Sequence, residues 1–180
     1  MIIDPAIVLA SRVLGTLVFG AAVLGKLRHR DEFVGVVANY RLVPEALVTA
    51  VAWLIIVFET AIVLSFTTGL WLTAAAALAV FLLCGFAVAM AINLARGRIE
   101  IDCGCFQSAL RQRLSLALVV RNLLLIVSLL PLFGSWSRPV SMLQLLDGIA
   151  AGVVLFLLYQ VFGLVLSLRD AAEALRKRFA

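Results

Sequence analysis

The sequence predicts an all-α polytopic membrane bundle of about five transmembrane helices, with a short surface helix after the first. Three observations lead there. Hydrophobic residues make up 64% of the 180 positions and charged ones only 14%, with a mean hydropathy of +1.16. A soluble core of this length cannot hide so much apolar surface, so the bilayer acts as solvent. Second, the apolar residues fall into runs of about 20, the length that spans a hydrocarbon core as helix. Third, the basic residues lie between and after those runs, where they anchor and orient a membrane protein.

Five runs meet the length criterion: Pro5 to Lys26, Ala46 to Phe66, Leu70 to Ala95, Ser115 to Phe133 and Leu143 to Leu168. The first reads as a retained span rather than a cleaved signal peptide, because Arg12 interrupts it, no basic region precedes it and Lys26 closes it. Between the first two spans, Phe33, Val36, Val37 and Tyr40 repeat at helical spacing within the polar segment Arg28 to Glu45, which predicts a helix on the membrane surface ended by Pro44. Thr67-Thr68-Gly69 makes a tight uncharged turn between the second and third spans. Between the fourth and fifth, Trp136 suits an interfacial position. Residues 1–168 are expected to form one bundle and 169–180 a basic tail that meets anionic lipid. Gly148 and Gly152 form a small-xxx-small motif, used either within the bundle or for dimerisation, the former being commoner.

The net charge of +5 would suggest nucleic acid in a soluble domain, but here the cations belong to membrane loops and nucleic-acid binding is set aside. Odd and even loops differ sharply in charge. One side carries Lys26, Arg28, Arg30, Arg41, Arg96, Arg98, Arg111, Arg113, Arg169, Arg176, Lys177 and Arg178, and the other only Arg138. The positive-inside rule places the first side in the cytoplasm.

That side also holds Cys103-Gly104-Cys105, two of the three cysteines, in a short polar segment before the fourth span. Glycine at the middle position lets the backbone turn enough for a small, strained disulfide between residues i and i+2. Strain raises the oxidising power of such a bond and suits it to be passed on rather than kept. Arg96, Arg98, Arg111 and Arg113 favour a thiolate there, whereas Glu100 and Asp102 oppose it. The competing readings are a structural pair, a chance pair and a zinc half-site. Zinc is disfavoured because Cys84 and His29 are the only further soft ligands and about four are needed, so no metal is expected. Cys84, deep in the third span, reads as a small buried apolar residue.

Charges within spans are the second constellation. Arg12 and Glu59 each lie about seven residues from the same end of their spans, which predicts an Arg12–Glu59 ion pair of structural character, or else a proton or substrate path through the pair. Arg121 and Asn122, two turns into the fourth span, either bind a polar headgroup such as a quinone carbonyl or cap internal backbone groups.

The order Gly25-Lys26, Asn39-Tyr40-Arg41-Leu42-Val43-Pro44, Glu59 and Asp102-Cys103-Gly104-Cys105-Phe106 resembles the MauE family of methylamine utilisation proteins over nearly the whole chain. That family is related to DoxX-like membrane proteins and has a helical core likened to vitamin K epoxide reductase. The resemblance implies a bacterial inner-membrane protein that helps mature periplasmic methylamine dehydrogenase, whose small subunit is rich in disulfides, alongside a thioredoxin-like partner, MauD. It implies Cys103 and Cys105 as the redox pair, Lys26, Tyr40, Arg41 and Pro44 on the same face, and a membrane quinone as candidate electron acceptor. It also implies a periplasmic cysteine loop, against the charge count. Two features depart from the pattern: Gln107 stands where the family often has glycine, and no second cysteine pair accompanies the first. The alternative is a non-catalytic membrane scaffold or assembly factor whose cysteines are structural.

Overall fold

The structure is a computed structural model that describes residues 4–98, 114–134 and 141–179. Cys103, Cys105, Glu100, Asp102, Gln107, Arg111 and Arg113 lie outside the described residues, as do Trp136 and Arg138. The described elements are helical: α1 Pro5–Arg28, α2 Arg30–Tyr40, α3 Val48–Thr68, α4 Leu72–Ala95, α5 Leu116–Leu129 and α6 Met142–Phe179, with 3₁₀ turns at Glu45–Leu47 and Leu130–Phe133. Five of these stretches are long and apolar enough to cross a membrane. They coincide with the five expected runs to within a few residues.

Local chemistry accounts for the boundaries. Asp4 caps α1 through a bond from the Ala6 amide at 2.9 Å, and Pro5 occupies the first turn, where its missing amide costs nothing. Ser141 and Gln144 form a reciprocal capping box at the start of α6. Gly97, at φ +71, ends α4: its amide bonds to Leu94 and that of Arg98 to Asn93, the paired pattern that satisfies the last carbonyls. Within the spans, Ser11, Thr16, Thr60 and Ser128 return their hydroxyls to their own helix backbone, so these polar groups meet no lipid unpaired.

Helix α1 is central. It packs against α6 on one side and α3 on the other, while α4 joins α3 to α5 and α5 closes back towards α1. The main core lies toward the α3–α4 turn, with Val8, Leu14, Ile62, Phe66, Ala76 and Leu129 buried together. A second cluster unites Tyr40, Met90, Leu114 and Leu118. The ends of α2 and α4 and the start of α5 therefore share one end of the bundle.

Helix α6 reaches α1 through its small residues. A Cβ on Gly148 would stand 2.8 Å from the Leu9 Cβ, and one on Gly152 2.6 Å from the Val13 Cβ. The small-xxx-small motif is thus used within the chain. The outer face of α6, including Leu146, Val154, Leu158 and Val165, is exposed, as suits contact with lipid. At its far end α6 continues without a break through Arg169 to Phe179.

Two expectations need correction. Helix α2 ends at Tyr40, not at Pro44, because Arg41 enters the left-handed region at φ 49 and breaks the helix four residues earlier; Pro44 instead precedes the 3₁₀ turn that leads into α3. Cys84 is not buried: it faces outward from α4, since Leu82, Leu83 and Ala87 occupy the inward positions around it.

Candidate functional site: a buried ion pair between two cavities

The polar centre of the bundle is built from Lys26 near the end of α1 and Glu59 in the middle of α3. Lys26 donates a hydrogen bond from Nζ to Glu59 Oε1, and the two residues are 3% and 1% exposed. The ammonium also lies 4.9 Å from the ring centre of Phe33 and 5.3 Å from that of Phe86. Two aromatic faces and one carboxylate thus replace water around the cation.

Glu59 was expected to pair with Arg12, and it does not. Helical side chains lean toward the amino terminus of their own helix. In the antiparallel pair α1 and α3, Arg12 and Glu59 lean apart, whereas Lys26 and Glu59 lean toward each other. Arg12 instead bonds from Nε to the Phe66 carbonyl at 3.0 Å and from Nη2 to that of Thr67 at 3.2 Å. These carbonyls belong to the last turn of α3, where no amide follows to take them and the helix dipole is negative. Gly69, at φ +80, lets the guanidinium close over the turn. An Arg12→Met variant should lose about 1–2 kcal/mol of stability, the loss of two partly exposed charge-assisted bonds, read as a lower midpoint of thermal unfolding in detergent.

Two cavities flank the ion pair. The larger, about 220 Å³, lies under the apolar face of α2, between α3 and α4, with Phe33, Val37, Tyr40, Ile55 and Phe86 in its wall and Lys26 at its inner side. The smaller, about 30 Å³, lies toward α5, with Glu59, Lys26, Asn122 and Tyr159 among its lining. Arg121 stacks on Tyr159 of α6 with its guanidinium carbon 4.8 Å from the ring centre. Arg121 and Asn122 are 3% and 2% exposed, so both face the protein interior.

The structure therefore brings Lys26 and Tyr40 to one cavity and Asn122 to the other, joined by the Lys26–Glu59 pair. Arg41 and Pro44 stay exposed beyond the end of α2. Two residues of this end were absent from the expected pattern. Asn93, fully buried, donates to the Tyr40 carbonyl at 3.3 Å and to that of Ala89 at 3.1 Å, fastening α2 to α4. Phe86 sits at helical spacing from Leu82 and Leu83 and looks like ordinary core until the cation is seen beside it. An asparagine inside an apolar run was the available clue to Asn93.

A bundle of five membrane-crossing helices around a desolvated ion pair, with an apolar cavity at one end, defines a polytopic α-helical membrane protein. The chain belongs to the MauE family: residues 4–137 match the family described as methylamine utilisation protein MauE. It is similar to the methylamine utilization protein MauE of Paracoccus denitrificans, at 38% identity covering 96% of this chain and 94% of the relative. It is likewise similar to the proteins of that name from Paracoccus versutus, 40% identical over 87% of this chain and 85% of the other, and Methylorubrum extorquens, 36% over 88% and 87%. No solved structure matches the chain.

Proposed function

We propose that this protein is a thiol-disulfide relay of the inner membrane that assists disulfide formation in the small subunit of methylamine dehydrogenase, working with a thioredoxin-like partner of the MauD type. The observation that carries the proposal is Cys103-Gly104-Cys105 in a chain of the MauE family. The segment that bears it connects Arg98 to Leu114. Leu114 is buried beside Tyr40, and Arg98 Nη1 lies 3.5 Å from Asn93 Oδ1, so both anchors of the segment belong to the Tyr40 end of the bundle. Lys26, Tyr40 and the larger cavity lie at that same end.

In the relay a partner thiolate attacks one sulfur of the Cys103–Cys105 disulfide, forming a mixed disulfide and releasing the other cysteine as thiolate. The second partner thiolate then attacks the mixed disulfide, leaving the partner oxidised and Cys103 and Cys105 reduced by two electrons. The same exchange runs in reverse when the partner arrives as a disulfide and is the oxidant: Cys103 and Cys105 then give up two electrons and close their own disulfide. A membrane quinone fits the larger cavity as acceptor for the reduced pair, since apolar walls suit its ring and tail and Lys26 retains N–H donors for a carbonyl.

Mixed-disulfide trapping tests the reading. In a Cys84→Ser background, either Cys103→Ser or Cys105→Ser should accumulate a reductant-sensitive adduct with the co-expressed thioredoxin-like partner, and the double variant should not. If the double variant supports maturation as well as wild type and neither single variant forms an adduct, the cysteines carry no electrons and the protein is an assembly scaffold. Labelling intact cells with a membrane-impermeant maleimide, before and after reduction, reports the side of the membrane: labelling only after reduction places the disulfide outside the cytoplasm.

A further inference from the structure

We propose that the small cavity beside Glu59 is a water site, and that a single buried water bridges Glu59 Oε2 to Asn122 Nδ2. Both atoms are sealed from solvent and have no hydrogen-bond partner among the described residues. Glu59 uses its other oxygen for Lys26, and its residue is 1% exposed; Asn122 is 2% exposed. Both residues line the same cavity of about 30 Å³. An orphan of either kind inside a membrane bundle costs several kcal/mol in principle, so two at one void call for a shared partner.

Chemistry selects that partner. Glu59 Oε2 is an acceptor and Asn122 Nδ2 a donor, so the molecule between them must donate to one and accept from the other. A cation satisfies the carboxylate and repels the amide N–H. An anion does the reverse, beside a carboxylate. Water does both. The space agrees, since a cavity of about 30 Å³ is large enough to hold a water. Most of the remaining wall, including Val18, Phe19 and Leu125, is apolar; its polar members are Lys26, bonded to the other Glu59 oxygen, and Tyr159, whose ring faces Arg121.

The bridge joins three helices through one polar chain: Lys26 of α1, Glu59 of α3, the water, and Asn122 of α5. Because α5 follows directly on the segment with Cys103 and Cys105, the chain ties the ion pair to the helix that carries that segment's far anchor.

A crystal structure of the full chain grown from a lipid phase, at a resolution that shows ordered water, tests this directly. Density is expected within hydrogen-bonding distance of both atoms. Thermal unfolding of Asn122→Leu gives an independent reading whose sign differs between the cases. With the water present, the substitution strips it of a partner and the melting temperature falls by several degrees. Without it, the same substitution removes an unsatisfied buried donor and the protein melts higher. A site with no density between the two atoms, or an Asn122→Leu protein that melts at or above the wild-type temperature, overturns the proposal.

Discussion

Replacing Lys26 by methionine should destabilise the protein by about 3–5 kcal/mol, the cost of leaving one member of a buried ion pair without the other. The magnitude follows from where the partner sits. Glu59 is 1% exposed, and Lys26 is the only cation bonded to it among the described residues. Methionine keeps the length and apolar stem of lysine, so it still packs against Phe33 and Phe86 and the loss isolates the charge. The reverse truncation, Glu59→Leu, should cost a similar amount by stranding the ammonium. Combining the two removes both charges, and the double variant should recover most of the stability of the wild type, because apolar replacements of a whole buried pair are often neutral or better. Unfolding of the four proteins in nanodiscs reads all of this. Had Arg12 been the partner of Glu59, Arg12→Met would show the large loss and Lys26→Met a small one.

A leucine at Gly152 should cost about 3 kcal/mol, at the upper end of what an overpacked contact carries. The Cβ alone would come 2.6 Å from the Val13 Cβ and 2.9 Å from the Ala10 carbonyl oxygen. A side-chain tip can rotate away, but a helix backbone cannot, so α6 has to lift from α1. Gly20 supplies the control: on α1 itself, its Cβ would meet nothing within 4 Å, so Gly20→Leu should leave stability unchanged or raise it slightly through helix propensity. Unfolding midpoints of the two variants in nanodiscs decide the matter. If Gly152→Leu changes the oligomeric state and leaves stability intact, the glycine stripe serves contact between copies, contrary to the packing seen here.

The membrane architecture was legible residue by residue. Each of the five spans is a long apolar run, and a run of that length in lipid has helix as its available form, because every backbone group must find its partner within the segment. Phe33, Val36, Val37 and Tyr40 gave α2 away by the same logic, since a helix with one apolar face settles against an apolar surface. Gly69 marked the α3–α4 turn because a residue at φ +80 favours glycine.

Pairing across helices was a different matter. The depth of Arg12 and Glu59 could be counted along the chain, but depth ignores the direction in which a helical side chain leans. That lean sends Arg12 to the carbonyls of Phe66 and Thr67 and brings Lys26 to Glu59. The outward face of Cys84 was hidden too, since a run that is apolar all round carries no stripe to mark its inner side. Along this chain, hydropathy and turn chemistry are local quantities and determined how many helices there are and, apart from the end of α2, where they stop. Which charges meet, which cavities form between them and which glycines let α6 approach α1 depend on the rotation of each helix about its own axis, and packing in three dimensions decided that.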